Sequence, residues 1–351
     1  MRVTAIVPSL NPDEKLISTV HSLQEAGFTD ILLVDDGSDE AHRVPFATLE
    51  SEGVTVLRHP VNAGKGRAMK TAFAFVLEHR PDSVGVVTVD GDGQHGAADV
   101  LRLARAMEQE PCIWLGSRDF TAPQVPPRSR FGNKATCLTM RLLCGMRVGD
   151  TQTGLRAIPR DCLPWLLEVP GDRYEFETNM LLEMQQRRTP FKELTIDTIY
   201  IEENASSHFR PLVDGWRIYR RMLAHFFRFM GSGLVSAVLD VALFTLLVTT
   251  VLGGDSAVAT VWWATVIARV VSSLVNFTLN RRVVFNSRER LAGTLVRYYA
   301  LCLCQMTLSA LLVMLLNNLL PGWEPLLKCV VDVFLFFVSF RIQQRYVFGR
   351  K

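Results

Sequence analysis

The sequence predicts an α/β domain on a mostly parallel sheet with helices on both faces, followed by an all-α membrane domain of four helices. Three observations predict this. Hydrophobic residues make up 48% of the 351, with a mean hydropathy of +0.17, and the apolar excess is unevenly spread. Up to about residue 225 charges, Gly/Pro turns and short apolar runs alternate, whereas from Phe229 the apolar stretches reach roughly 18–25 residues, enough to cross a ~30 Å hydrocarbon core. Basic residues also gather on one side of those stretches. This division excludes a simple cytosolic chain and, equally, an all-membrane one.

In the first part, β-branched apolar runs alternate with helical patterns. VTAIVPSL (3–10) precedes a helix to about Ala26, and DILLVDDG (30–37) follows. VTVLRHP (54–60) leads to a helix through Lys70 to His79, and SVGVVTVD (83–90) and CIWLGSRD (112–119) complete the series. Runs apolar throughout and joined by helices are strands buried on both faces of a parallel sheet, whose ligands bind at the carboxyl ends. The amino terminus reads as the first strand, since Pro8 breaks its short apolar run, and not as a signal peptide. A net charge of +3 without a Lys/Arg block in the first 200 residues excludes nucleic acid as a partner. Seven scattered cysteines, with only Cys302 and Cys304 close together, read as reduced thiols and not as a zinc site.

The polar residues fall at predicted strand ends. VTVDGDGQH (87–95) delivers Asp90 and Asp92, one glycine apart, with Gln94 two residues on. Carboxylates so close repel unless a cation joins them, and hard Mg²⁺ or Mn²⁺ that also holds a diphosphate suits the pair. VDDGS places Asp35 and Asp36 at another strand end, either accepting from a nucleoside or forming a simple turn with Gly37. In NAGKGRA (62–68), Gly64 and Gly66 admit close backbone approach and Lys65 brings positive charge to a helix start. This is not a P-loop, because His59 occupies the required glycine position and Gly66 follows the lysine. No GxGxxG follows the first strand, which argues against a dinucleotide-binding dehydrogenase.

The expected membrane spans are about 229–252, 257–278, 296–319 and 326–343. Arg210, Arg217, Arg220, Arg221 and Arg228 precede the first. Arg281, Arg282, Arg288, Arg290 and Arg297 lie between the second and third, and Arg341, Arg345, Arg350 and Lys351 follow the fourth. Lys328 alone lies on the opposite side, which predicts a cytoplasmic amino-terminal domain, middle loop and tail. NFTLNRRVVF (276–285) and SFRIQQRYVF (339–348) share Phe, Arg, Val and Phe at an offset of 63, which reads as two hairpins in one orientation. Asp240 and Arg269 each lie about 16 Å deep at 1.5 Å per residue, and the same offset carries Arg269 to Asp332. Asp240, Arg269 and Asp332 are therefore expected as a buried pair or triad, either structural or a polar site for a lipid head group. Between the halves, residues 211–228 read as a basic aromatic segment lying on lipid, with Trp216, Tyr219, Phe226 and Phe227 among Arg217, Arg220 and Arg221, or as a continuation of the first span. His208 in SSHFRP reads as a structural loop residue or, alternatively, as a phosphate contact.

The first 210 residues resemble family 2 glycosyltransferases, specifically polyprenyl-phosphate sugar synthases related to dolichol-phosphate mannose synthase. The matching strings are IVPSLNPDEKL (6–16), VDDGS, NAGKGRA, VDGDGQH (89–95), GSRD (116–119), RSRFGN (128–133), DTQTGLR (150–156) and YEFETNML (174–181). Residues 225–350 resemble the GtrA-like family of small membrane proteins, through RFMGSGLVSAVLD and the exits Asn280–Phe285 and Gln343–Phe348. The second exit departs from the Asn-Arg form of that family, so no contact is assigned to it. The resemblance implies a GT-A fold, a nucleotide-sugar donor with Mg²⁺ or Mn²⁺, and polyprenyl phosphate of the undecaprenyl or dolichyl type as acceptor. It implies Pro8, Asn11, Glu14, Asp36 and Lys65 around the nucleoside, and Asp90, Asp92 and Gln94 on metal and diphosphate. Arg118, Arg128 and Arg130 would clamp the acceptor phosphate, with Asp150, Gln152 and Thr153 beside the donor sugar. The implied protein is integral to the plasma (inner) membrane and makes a polyprenyl-phosphate sugar on the cytoplasmic leaflet. Its membrane half assists translocation, and association into a homo-oligomer is left open. A processive polysaccharide synthase is the alternative, although no Gln-x-x-Arg-Trp string is present. A lipid-sugar transporter whose soluble half only binds cargo is the other.

Overall fold

The computed structural model describes residues 1–351 except 123, 124, 126, 198–210, 252–256, 288, 320–322 and 350–351. His208, Arg210, Arg288 and Arg350 therefore lie outside the described residues. The chain divides into two compact units, Met1–Arg221 and Met222–Lys351.

The first unit is a seven-stranded sheet among the described residues, in the order β3-β2-β1-β4-β6-β5-β7. Its strands are β1 (Val3–Ser9), β2 (Ile31–Asp35), β3 (Thr55–Arg58), β4 (Gly85–Thr88), β5 (Ile113–Arg118), β6 (Arg156–Pro159) and β7 (Phe191–Ile196). β1, β2, β3 and β4 run parallel, β6 is antiparallel to both β4 and β5, and β7 is parallel to β5. The predicted mostly parallel α/β fold is present, with one reversed strand that periodicity did not announce. β6 has only four residues, opens on Arg156 and closes on Pro159. An apolar run of that length between a charge and a proline carries too little pattern to read as a strand.

Helices α1 (Lys15–Glu25), α2 (Val44–Ser51), α3 (Lys65–His79), α4 (Ala97–Gln109), α5 (Pro127–Thr139), α6 (Leu163–Leu167) and α7 (Glu175–Arg187) complete the unit. Val3, Ala5 and Val7 of β1 join Leu16, Val20 and Leu23 of α1 and Val100 and Leu103 of α4 in one core. Ile6 is buried between them in sequence and, by the period-two alternation of a strand, faces the other side, where α3 packs on β1 and β2. Layers on both faces explain why these strands read as continuous apolar runs. The chain leaves β1 toward β2 and β3, returns through α3, and enters β4 on the other flank of β1. The carboxyl ends of β1 and β4 thus border the point where winding reverses, the place where such sheets hold ligands.

The second unit contains α8 (Pro211–Leu246, beginning before the division), α9 (Ala257–Leu279), α10 (Leu291–Leu319) and α11 (Glu324–Ile342). The expected interfacial segment 211–228 forms the start of α8, whose 36 residues extend about 54 Å, longer than a hydrocarbon core. The side chains of Trp216, Arg217, Tyr219 and Arg221 lie outside the description. Segments Phe226–Thr249, Ala259–Val284 and Leu291–Asn318 are long and apolar enough to cross a membrane. The fourth expected span is helical but differs in composition, because α11 carries Lys328, Asp332 and Arg341. Leu234, Val238, Trp262, Leu303 and Phe334 are exposed, whereas Ser232, Ser272, Asn280, Ser339 and Gln343 are buried. An apolar exterior over a hydrogen-bonded polar interior is the arrangement that lipid favours.

The sequence repeat has a structural counterpart. α9 and α11 each end in a π turn, Asn280–Val284 and Gln343–Val347, closed by the Phe285 and Phe348 amides donating to the Asn280 and Gln343 carbonyls at 2.9 Å. Phe285 and Phe348 stack at 5.3 Å and 16°, and Asn280 Nδ2 donates to Gln343 Oε1 at 3.1 Å. The exit to which the sequence assigned no contact thus makes the central one. Equivalent residues touching at the same end of two repeats mark a local two-fold axis along the bundle.

Phe73 lies on α3, fully buried, 6.5 Å from the Phe176 ring of α7. Phe73→Ala is expected to cost about 3–5 kcal/mol, read as a lowered urea midpoint of the first unit's tryptophan fluorescence.

Candidate active site

The loop after β4 carries Asp90, and its position depends on three other elements. Lys65 begins α3 and directs Nζ to Asp90 Oδ1 at 2.6 Å and to Glu177 Oε1 of α7 at 2.8 Å. Burial opposes the lysine's charge, but Asp90 and Glu177 outweigh it and hold Lys65 above the ordinary lysine value. Burial likewise opposes ionisation of Asp90, yet the charges of Lys65, His95 and Arg118 hold its carboxyl at about 2. Asp92 shifts the opposite way, raised by burial and by the Asp90 carboxylate. His95 is lowered mainly by burial, and its Nδ1 accepts from the Asp90 amide at 3.3 Å.

The glycines of NAGKGRA have a defined task. Gly64 adopts φ +102°, and a Cβ there would lie 2.3 Å from the Asp172 carbonyl, so only glycine turns the chain into α3 at this distance. Asp36 fixes the same loop. Its carboxylate accepts from the Ala63 amide at 3.0 Å, the Gly64 amide at 2.8 Å and His59 Nδ1 at 2.8 Å. Asp35 accepts from the Ser38 amide at 2.8 Å, and Asn11, at φ 49°, accepts from the Asp39 amide at 3.0 Å while its own amide donates to Ser38 Oγ. Pro8 pairs with Val34 in the sheet, and Glu14 is exposed before α1. The predicted nucleoside set is therefore divided: Pro8, Asn11, Asp35 and Asp36 knit the ends of β1 and β2 together, and Lys65 stands with the acidic pair.

Arg118, at the end of β5, forms a two-pronged bond with Asp150, Nε to Oδ2 at 2.6 Å and Nη2 to Oδ1 at 3.1 Å. Asp150 is 0% exposed and also accepts from the Gln152 amide at 2.9 Å. A bidentate partner fixes the plane of the guanidinium as well as its place, and the Phe120 ring lies 5.1 Å from it. Arg118, Asp90, Gln94, His95, Gln152 and Thr153 line a common cavity of about 40 Å³. Gly154 brings the DTQTG loop against it, since a Cβ there would lie 2.4 Å from Asp90 Oδ2. Arg130 on α5 bonds instead to the Ala122 carbonyl at 3.0 Å, and its Nε is buried without a hydrogen-bond partner. Arg128 is on the same helix, with its side chain outside the description.

Glu177, His95 and Arg156 are site residues that the sequence reading did not single out. Glu177 and Arg156 stand inside the strings YEFETNML and DTQTGLR, but no spacing rule distinguishes them from their neighbours. Arg156 is 0% exposed and donates to the Thr153 and Glu177 carbonyls at 3.0 and 2.8 Å. Lys65 is shared by Asp90 and Glu177, and Arg118 is held by Asp150, while Asp92 stands beside Asp90 on the same loop and Asp197 lines the same cavity, so carboxylates outnumber cations at the site. Among the described residues no group of three His, Cys, Asp or Glu forms a metal cage. Two carboxylates one residue apart at a site with surplus negative charge fit a Mg²⁺-type ion that takes its remaining ligands from water and a diphosphate.

The expected membrane triad separates. Arg269 Nη2 reaches Asp240 Oδ2 at 3.2 Å, with its side chain 72% exposed and not enclosed, and Ser272 donates to Asp240 at 2.8 Å. Asp332 takes another cation, Lys328 one turn earlier on α11 at 2.8 Å, and accepts from Ser309 at 2.7 Å. Counting basic residues assigns Lys328 to the opposite side as a flanking charge, whereas it lies within α11 and bonds Asp332.

Asp36→Ala would leave the Ala63 and Gly64 amides without their acceptor, at about 1–3 kcal/mol for each buried group stranded. A lower melting temperature without nucleotide is expected, measured by differential scanning calorimetry; an unchanged melt would assign Asp36 to ligand contact alone.

Residues 4–157 match the family described as Glycosyl transferase family 2, and residues 228–348 match GtrA/DPMS, transmembrane domain. A UDP-N-acetylglucosamine–dolichyl-phosphate N-acetylglucosaminyltransferase of Methanococcus voltae is 27% identical over 237 residues, covering 62% of this chain and 93% of that one. A polyprenol monophosphomannose synthase of Mycolicibacterium smegmatis is 31% identical over 169 residues, 46% of this chain and 63% of that one. An uncharacterized protein of Methanocaldococcus jannaschii is 29% identical over 227 residues, 63% and 90% of the two chains. The chain is an integral membrane enzyme in which a family 2 glycosyltransferase domain is joined to a transmembrane domain of the GtrA/DPMS type.

Proposed function

We propose that the protein transfers a sugar from a nucleotide-sugar donor to a polyprenyl phosphate, with inversion, on the cytoplasmic leaflet. The observation that carries this reading is the cavity where Asp90 and Gln94 face an arginine held edge-on by Asp150. One side suits a cation with diphosphate and the other a phosphate. The M. voltae and M. smegmatis relatives, whose names specify dolichyl phosphate and polyprenol, support this acceptor class. The basic residues flanking the spans support the cytoplasmic orientation.

A phosphate monoester has its second pKa near 6 and is already a nucleophile at neutral pH. One of its oxygens attacks the anomeric carbon in line, the bond from that carbon to the donor diphosphate breaks, and the electron pair leaves on the β-phosphate oxygen. No proton changes hands, so no general base is essential. Bound Mg²⁺ or Mn²⁺ on Asp90, Asp92 and Gln94 would supply positive charge for the departing diphosphate. Lys65 keeps Asp90 ionised for that role, and Arg118, with its orientation set by Asp150, holds the acceptor oxygen in line. Arg130, with its unpartnered Nε, lies on the helix that follows β5 and adds charge on the acceptor side.

Asp92→Ala is expected to abolish formation of lipid-extractable product from radiolabelled nucleotide sugar and polyprenyl phosphate, while the fold stays intact by circular dichroism. Near-normal transfer would sink the metal assignment, and the absence of lipid product from wild-type protein with every donor would favour a binding or transport role. Arg118→Lys keeps the charge but loses the fork, and a fall in kcat of roughly 100-fold with unchanged donor KM is expected in the same assay.

A further inference from the structure

The segment 149–154, which leads into β6 and carries Asp150, is held at its two ends by different elements. At the later end the Thr153 carbonyl accepts from Arg156 Nε at 3.0 Å, and the Gly154 carbonyl accepts from Thr88 Oγ1 of β4 at 2.7 Å. At the earlier end Gly149 is gripped from two sides. Its amide donates to Glu193 Oε1 of β7 at 2.7 Å, and its carbonyl accepts from Asn133 Nδ2 of α5, also at 2.7 Å. Asn133 is 6% exposed, and neither it nor Glu193 lines the cavity. Gly149 also lies against β5, since a Cβ there would meet Ser117 Oγ at 2.7 Å, and Ser117 immediately precedes Arg118. Apolar packing alone would hold α5 to the sheet without fixing any direction, whereas a hydrogen bond to the Gly149 carbonyl fixes the rotation of the peptide that leads into Asp150. Asp150 in turn sets the plane of the Arg118 guanidinium. Arg130 lies three residues before Asn133 on α5. The arginines of α5 and β5 are therefore joined through Asn133, Gly149 and Asp150.

We propose that Asn133 and Glu193 are positioning residues for the acceptor: by fixing Gly149 they fix Asp150, and through it the place and plane of Arg118 relative to Arg130. Their effect on the acceptor rests on the function proposed above, whereas the mechanical link to Asp150 does not. The donor side is spared, because Thr153 and Gly154 keep their own anchors when the Gly149 end is released.

The test uses the full-length protein in detergent with undecaprenyl phosphate and radiolabelled UDP-glucose, UDP-N-acetylglucosamine or GDP-mannose. Asn133→Ala is expected to lower kcat about tenfold or more, as a small misplacement of a reacting group does, and to raise the acceptor KM while the donor KM stays within about twofold. Glu193→Leu should act alike, and Glu193→Gln, which keeps an oxygen acceptor for the Gly149 amide, should restore wild-type constants. Thr139→Ala, which removes only the bond to the Ala135 carbonyl within α5, should change none of them. In an Arg118→Lys background Asn133→Ala should add less than about twofold, because both act through one group. Hydrogen exchange reads the link directly. The Gln152 amide donates to Asp150 and should exchange about tenfold faster in Asn133→Ala, with the β6 amides unchanged. Additive losses with Arg118→Lys, an equal rise in donor KM, or unchanged Gln152 exchange would each overturn the proposal. Wild-type protein that yields no lipid product would fail the catalytic reading, and the exchange comparison, which needs no acceptor, still decides the link to Asp150.

Discussion

Lys65 occupies the position on which the catalytic unit turns. A lysine among buried carboxylates is stable only if their charges reach it together, and here Asp90 comes from the end of β4 while Glu177 comes from α7. Satisfying both requires α3 to begin at one place, which Gly64 permits by its backbone angle and Asp36 enforces by holding two amides. The motifs that look separate along the chain are thus one electrostatic assembly at the reversal point of the sheet. Removing any member would leave a neighbour charged or unbonded in a place water does not freely reach.

The same assembly explains what could be read from the sequence. The strand runs were legible because burial on both faces forces continuous apolar composition, and the acidic strand ends were legible because nothing structural requires Asp90 and Asp92 one residue apart. β6 was not, since a strand between two antiparallel neighbours needs only four residues and its Arg156 donates to tertiary carbonyls. The partners of Glu177 and Asp36 were not legible for a related reason. Each depends on what lies across space, a glutamate reaching the lysine 112 positions earlier in the chain and an aspartate accepting from the amides of a distant loop. In the membrane unit the repeat was legible as a pattern of residues. The partner of Asp332 was not, because Lys328 was counted as a charge flanking the spans and not as a residue one turn from Asp332 on the same helix.

The two units settle polar groups by opposite rules. In the first, the sheet buries apolar side chains and gathers charge at one rim. In the second, apolar residues face outward and serines, asparagines and glutamines turn inward, where lipid offers their polar atoms no partner. That pressure accounts for the chain of bonds from Ser232 through Asn280 and Gln343 to Ser339 and Gln305.

The contact between Asn280 and Gln343 has a further consequence. A side chain on a two-fold axis meets its own counterpart, and a single hydrogen bond between two counterparts has a direction: Asn280 gives the proton and Gln343 receives it. Perfect symmetry is therefore forbidden at the axis even where the backbones agree. Each hairpin must take one of two distinct roles there. Covalent fusion makes that assignment permanent, so the two hairpins are free to diverge, one toward an arginine set against Asp240 of α8 and the other toward a lysine–aspartate pair within α11.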